Sequence, residues 1–389
     1  MNYRPDPLTR IIARAGRAIM SAPTPLLRLV ARPGRNGRGY LLDPDVAMSL
    51  ALLKIIGSGK GIGELTVAEA REEIDREAYL AAGPRPKVRT RDEKIAGVAV
   101  RRYFGFPLAD ASAPAVMYLH GGGWAVGSLD SHDAPCLRLA EAAGVDVISV
   151  DYRLAPEHPF PAGLDDVMAV YEELTGPRPG AAAGAGSMTG TRDASRPDGA
   201  KSGSGGGAAS RRVAVIGDSA GANFAAVVCL EAKRRGLPQP ALQGLLAPVT
   251  DMLAWIGDRG GWTNSGREFA EGYFLTSADM AAYADLYIGD GTPGSASAEL
   301  AQDPRVSPLF AEDLSGLAPA FVALGGFDPL RDEGEAYAAR LADAGVPVTV
   351  KMHRGMVHPF INSPGLWRTS RRAIDELAGA VRLALEVRQ

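Results

Sequence analysis

The sequence predicts an α/β protein, a mostly parallel sheet covered on both faces by helices, and two observations carry that prediction. From residue 94 onward, short continuously apolar runs alternate with longer helical segments, the pattern of strands buried on both faces. In addition, one buried run, Val213 to Ile216, breaks into Gly217-Asp218-Ser219-Ala220-Gly221 and resumes at once as the apolar helix "ANFAAVVCLEAKRR".

The elements follow in order. Residues 1–40 carry eight arginines and one acid, Asp6. The segment "LTRIIARAGRAIM" has the period of a basic amphipathic helix, either a mobile tail or lid over the main domain or a segment touching an anionic membrane surface. Residues 43–82 read as helices, one of them opened by Thr66 with Glu69 three residues on, a capping box. The predicted strands are "VAVRRYF" (98–104), "AVMYL" (115–119), "VDVISV" (145–150), "RVAVI" (212–216), "LQGLLA" (242–247), "AFVAL" (320–324) and "VPVTVKM" (346–352). Helices are predicted at 133–143, 162–175, 220–235, 331–344 and 366–387. Residues 177–210 contain no Leu, Ile, Val, Phe, Tyr or Trp. Such a stretch cannot bury enough apolar surface to offset its chain entropy, so it reads as a disordered insert within one domain. Residues 250–290 interrupt the alternation and concentrate Trp255, Trp262, Phe269, Tyr273, Phe274, Tyr283 and Tyr287.

Composition narrows the function. The chain has 389 residues, 46% of them apolar, and a net charge of −3. That is enough for a sizeable core and too little charge to point to nucleic acid. Cys136 and Cys229 sit in apolar helical contexts and read as buried reduced thiols. No run of 18 apolar residues occurs, so no membrane span is expected. The arginines also interrupt any secretory signal, which makes the cytoplasm the expected compartment.

The turn at Ser219 carries the chemistry. A strand that turns sharply into a helix lifts a serine above the sheet edge, and only small neighbours fit so tight a turn, hence G-x-S-x-G. With 47 glycines a chance match is expected roughly 0.3 times; the strand before it and the helix behind it make the assignment. A second strand ends on His120-Gly121-Gly122-Gly123-Trp124, where glycines let backbone N–H groups turn toward a ligand. The N–H groups of Gly122, Gly123 and Ala220 are therefore the candidate oxyanion donors. The chain has five histidines. Only His353 and His358 follow the serine with an acid between. His358, in the loop after a strand, is preferred as the base over His353, at the end of one. Asp328, Asp332 and Glu333 are the candidate acids; Asp328 comes first after its strand, and the other two fall in the following helix, so Asp328 is preferred. Trp124, Phe274 and Phe360 are candidate substrate contacts. The cluster Asp151, Arg153, Glu157 and His158 in "DYRLAPEHPFPA" reads as structural, with buried ion pairs bracing the glycine turn.

Several of these motifs together, "HGGGW" (120–124), "SLDSHD" (128–133), "DYRLAPEHPFPA" (151–162), "GDSAG" (217–221), "REFAEGYFLT" (267–276), "SPLFAEDLSGLAPA" (307–320), "FDPLRDEG" (327–334) and "GMVHPF" (355–360), resemble the hormone-sensitive-lipase-like esterases of the α/β-hydrolase superfamily from about residue 43 to the C-terminus. The resemblance implies an α/β-hydrolase fold with an eight-stranded sheet in residues 86–389. It implies a helical cap built from residues 1–85 and 250–290, and the triad Ser219, Asp328 and His358. It further implies hydrolysis of short to medium acyl esters of small molecules without cofactor or metal, and often a homodimer. An amidase or aryl-amide deacetylase on the same triad, or a non-catalytic ligand receptor on the same scaffold, are the alternatives. One departure stands beside the base: the family usually has His-Gly-Phe where this chain has His358-Pro359-Phe360, and proline restricts the residue before it to extended conformations.

Overall fold

The structure is a computed structural model that describes residues 3–56, 61–105, 113–176, 211–257 and 263–387. The insert at 177–210 and Trp262 lie outside the described residues. Four helices come first: α1 (Pro7–Met20), α2 (Thr24–Ala31), α3 (Pro44–Ile56) and α4 (Val67–Ala82). The capping box at the start of α4 is present, Thr66 N–H donating to Glu69 Oε2 at 2.9 Å.

Eight strands then form one sheet: β1 (Arg89–Ile95), β2 (Val98–Phe104), β3 (Ala115–Leu119), β4 (Asp146–Val150), β5 (Val213–Asp218), β6 (Leu242–Leu246), β7 (Ala320–Phe327) and β8 (Val348–Val357). Their order is β1-β2-β4-β3-β5-β6-β7-β8. β1, β2 and β4 pair antiparallel, and every pairing from β4 through β8 is parallel. The interleaved helices are α5 (Asp133–Ala143), α6 (Ala162–Thr175), α7 (Ala220–Arg235), α8 (Asn264–Glu268), α9 (Ser277–Ile288), α10 (Arg331–Asp343) and α11 (Arg368–Leu385).

The period-2 alternation of each strand sorts its side chains between two cores. Met117, Leu119, Val215 and Leu245 join Val167, Phe224 and Leu341 of α6, α7 and α10. Val116, Tyr118, Ile216 and Phe321 join Leu137, Leu139, Leu377 and Val381 of α5 and α11. Burying a side chain of this size contributes roughly 1.5–3 kcal/mol, and two such layers make the sheet the rigid base of the molecule. Cys136 and Cys229 are buried, free thiols within these layers.

Two elements depart from the sequence reading. β1, "RTRDEKI", is a charged edge strand that exposes Arg89, Arg91, Asp92 and Lys94; it has no apolar period for a pattern to detect. β8 runs five residues past "VPVTVKM" to Val357, crossing an irregularity in its pairing with β7 between Gly325 and Phe327. His353 thus lies inside the strand, and the strand delivers its end to His358.

Above the carboxyl ends of the strands, α1, α3, α4 and α9 surround a cavity of about 320 Å³. The inner side of α1 contributes Ile12, Ala13, Gly16 and Met20 to its wall, while Leu8, Ile11 and Ile19 are exposed beside Arg10 and Arg14. No described helix is long and apolar enough to cross a membrane.

Candidate active site

Ser219 sits between the last residue of β5 and the first of α7, with φ 54° and ψ −119°. For a residue with a Cβ this conformation costs on the order of 1–3 kcal/mol and persists only where surroundings enforce it. They do so here. Ser219 N–H donates to Leu246 O at 2.9 Å, and Ser219 O accepts from Asn223 N at 3.0 Å. Asn223 is itself pinned through Nδ2 to Val249 O and Val306 O, at 2.9 and 2.7 Å. The flanking glycines are required sterically: a Cβ on Gly221 would lie 2.0 Å from Leu119 O, and one on Gly217 would lie 2.3 Å from the Gly221 backbone. The turn is therefore wedged between its own first helical residues and the end of β3.

That end of β3 carries the glycine turn. Gly122, Gly123 and Trp124 all have positive φ (119°, 56° and 59°), successive backbone conformations that make a concave nest of N–H groups. Gly121 N–H is occupied by Asp218 Oδ1 at 3.2 Å. Among the described residues no acceptor reaches the N–H groups of Gly122 and Gly123, and both residues line the cavity with Ser219. Ala220 is fully buried directly behind the serine, at the helical position whose N–H has no intrahelical partner.

His358 and Asp328 arrive from the far end of the sheet. His358 Nδ1 lies 3.1 Å from Asp328 Oδ2, both side chains buried, and His358 lines the same cavity as Ser219. Asp328 Oδ1 accepts Leu330 N–H at 2.8 Å, which orients the carboxylate toward the imidazole. The other two acids are engaged elsewhere. Glu333 accepts Thr250 N–H (2.7 Å) and Trp255 Nε1–H (2.9 Å), and burial holds its pKa well above the usual range. Asp332 accepts from Ser265 N–H and Arg331 Nε. His353 stays between the Phe360 ring and Glu376.

Of the predicted substrate contacts, Phe274 lines the cavity; Trp124 and Phe360 do not. The indole of Trp124 is stacked on Tyr287 at 4.3 Å and 3°, and Phe360 is buried against His353. Both are core residues, Trp124 in one layer and Phe360 in the other. In "DYRLAPEHPFPA" the bracing is real but comes from other groups: Tyr152 OH donates to His120 O at 2.7 Å, and Ala155 N–H donates to Trp124 O at 2.9 Å. The ion pairs there are not buried. Glu157 is joined to Arg71 of α4 and is half exposed, and Arg153 is joined to Asp166.

Sequence reasoning passed over a buried network beside Ser219. Asp218 accepts from Tyr118 OH at 2.8 Å and from Asn362 Nδ2 at 3.2 Å, and meets His132 Nε2 at 3.2 Å. Burial opposes its charge, but His132 and these hydrogen bonds outweigh burial and hold its pKa down to about 2. The next histidine, His120, is pushed down to about 3 by burial and by His132. The residues lie in "GDSAG", "SLDSHD" and just after "HPF", so the motifs were in view, but only the fold joins them. Among the described residues no group of three or more His, Cys, Asp or Glu is placed to hold a metal ion.

A strained serine at a strand–helix turn thus shares its cavity with a glycine turn and a histidine joined to an aspartate. A family model described as alpha/beta hydrolase fold matches residues 116–362. This chain belongs to the α/β-hydrolase family, in its hormone-sensitive-lipase-like branch. It is 37% identical over 356 residues to the carboxylic ester hydrolase LipN of Mycobacterium tuberculosis, covering 89% of this chain and 84% of that one. It is 32% identical to the ethyl acetate hydrolase of Pseudomonas putida, covering 82% and 92%. An ester hydrolase from the metagenome of Lake Arreo, solved with a derivative of bipyridine phosphonate, superposes with a TM-score of 0.71 at 33% identity, covering 89% of this chain and all of that one (100%). The protein is a carboxylic ester hydrolase.

Proposed function

We propose that this esterase cleaves short to medium acyl esters of small molecules through an acyl-enzyme on Ser219. His358 takes the serine proton through Nε2, the nitrogen not engaged with Asp328, as Ser219 Oγ attacks the ester carbonyl. Asp328 holds the imidazole in that tautomer and stabilises the imidazolium. The oxyanion is received by the N–H groups of Gly122, Gly123 and Ala220, in a site where preorganised donors cost no reorganisation as charge develops. The proton passes from His358 to the leaving alcohol. Water then enters, is activated by the same imidazole, and releases the acid.

One observation carries the reading: a serine forced to positive φ shares its cavity with an imidazole already joined to a buried carboxylate. A cavity of about 320 Å³ with mostly apolar walls and the ethyl acetate hydrolase among the relatives support small esters. Ser219→Ala should lower the release of p-nitrophenol from p-nitrophenyl butyrate by roughly 10⁴-fold or more, with unfolding unchanged. An unaltered rate in that variant removes the assignment.

A further inference from the structure

The cavity wall contributed by the cap is not uniformly apolar. Carboxyl side chains line it at Glu73, Glu77, Asp218 and Asp279, and no lysine or arginine is among the described lining residues. Three of these acids have protein partners. Asp218 is held by Tyr118, His132 and Asn362. Asp279 closes the capping box of α9, accepting Thr276 N–H at 3.1 Å. Glu73 pairs with Arg76 through Oε2 at 2.7 Å. Glu77 differs: no hydrogen bond or ion pair reaches it among the described residues. It faces the cavity from the middle of α4, with Ile74 and Ala78 as neighbours on the wall.

An unpartnered carboxyl in an apolar, partly buried wall is costly to maintain, because neither water nor protein fully solvates its charge. It is also close to the reacting centre. The Tyr283 ring lies against Gly123, where an added Cβ would come within 2.2 Å of it, and Glu77 is near enough to Tyr283 to help raise that phenol's pKa. Resting on the esterase reading above, we infer that Glu77 is a specificity residue which favours esters whose alcohol or acyl chain bears a cationic ammonium group. A substrate cation would give Glu77 the direct ion-pair partner it lacks among the described residues, while an anionic substrate would meet four carboxyls and no lysine or arginine among the described lining residues.

The groups that face Glu77 are Glu73 and Arg76 on its own helix and Tyr283 on α9. Burial, then repulsion from Glu73, push its pKa up to about 7 against the pull of Arg76. The carboxyl thus ionises as pH rises through neutrality, and its attraction for a cation grows in the same direction.

The test compares two isosteric butyrates, 2-(trimethylammonio)ethyl butyrate, whose charge is independent of pH, and the uncharged 3,3-dimethylbutyl butyrate. The readout is the ratio of their kcat/KM values from pH 6 to 8.5. Both substrates undergo the same acyl transfer, so titration of the catalytic groups cancels in the ratio. The wild-type ratio should exceed one and rise with pH. Glu77→Gln should lower it on the order of tenfold and flatten it, and Glu77→Asp, which keeps the charge, should retain the rise. A wild-type ratio of one or below, or a ratio that Glu77→Gln leaves unchanged, overturns the inference. Hydrolysis of the neutral ester by the wild type, abolished in Ser219→Ala, tests the underlying esterase reading separately.

Discussion

The floor and the roof of the cavity are built on opposite principles. The floor consists of two turns at the ends of adjacent parallel strands, β3 and β5, packed so closely that added methyl groups at Gly121, Gly122, Gly217 or Gly221 would fall within 2.0–2.5 Å of another atom. Several of its polar groups are fixed by named partners, Ser219 N–H on Leu246 O and Asp218 on Tyr118, His132 and Asn362 among them. The roof consists of α1, α3, α4 and α9, helices drawn from residues 7–82 and 277–288. Its outer side exposes Leu8 (64%), Ile11 (61%) and Ile19 (40%), and it is tied to the floor at a few points. One is Arg71, whose Nε and Nη2 donate to Ala125 O and Ala155 O at 2.9 and 3.0 Å while Nη1 reaches Glu157 at 2.9 Å. On the proposed mechanism, chemistry that tolerates little displacement would reside where backbone contacts leave no room to move. Selectivity would then reside where helices can change side chains without disturbing the reacting groups.

Substitutions that cross this divide should show effects that fall from floor to roof. The largest is Gly221→Ala. Its methyl group would meet Leu119 O at 2.0 Å, a backbone atom fixed in the central strand, so the variant should lose roughly 4 kcal/mol or more of stability. Thermal unfolding within 3 °C of wild type would show the floor to be more yielding than described. Next is Gly123→Ala, at φ 56° and with the Tyr283 ring 2.2 Å from the new methyl. Here the neighbour belongs to the roof and can move. We expect about a 10²-fold loss in kcat/KM, with part recovered in the double variant with Tyr283→Ala; no recovery would mean that backbone strain alone sets the loss.

Asp218→Asn comes third. The wild-type carboxyl has a pKa of about 2 in the folded protein and about 4 when unfolded, so its stabilisation is complete above pH 4 and is lost as pH falls toward 2. The variant should be less stable by about 2 kcal/mol at pH 7. That deficit should shrink between pH 4 and 2 in chemical denaturation, whereas a constant deficit would assign the loss to shape and not charge. Smallest is Arg71→Ala. Its ion pair with the half-exposed Glu157 is worth little, and the two carbonyl contacts put the total near 1 kcal/mol. It should raise KM more than it lowers kcat, since it loosens the roof alone; an equal loss in kcat would tie the roof to the chemistry.

The floor was also the more legible region. Helices predicted at 133–143, 162–175 and 220–235 coincide with α5, α6 and α7, because each has a long apolar period and a clear stop, Gly144 and Gly236 ending two of them in the left-handed conformation. The positive φ of Ser219 was foreseeable because small residues on both sides of a serine between strand and helix have a steric reason to be there. β1 was invisible to the same reasoning: an edge strand with one solvated face and Arg, Asp, Glu and Lys along it has no apolar signature. Trp124 misled for a related reason. Its place beside three glycines marked the turn correctly, but which way the indole points is set by Tyr287, 163 residues later in the chain.

What the sequence determined by itself was the layered sheet, the chain order of Ser219, Asp328 and His358, and the two turns, since periodicity and local sterics are properties of neighbouring residues. The tertiary structure alone brought Asp328, the acid the sequence preferred, against His358, closed Asp218, His132, Tyr118 and Asn362 into one network, and left Glu77 on the cavity wall without a hydrogen bond or ion pair among the described residues. Each of these depends on distances between side chains far apart along the chain, and such distances come into being only when the strands pair in register and the helices pack on them.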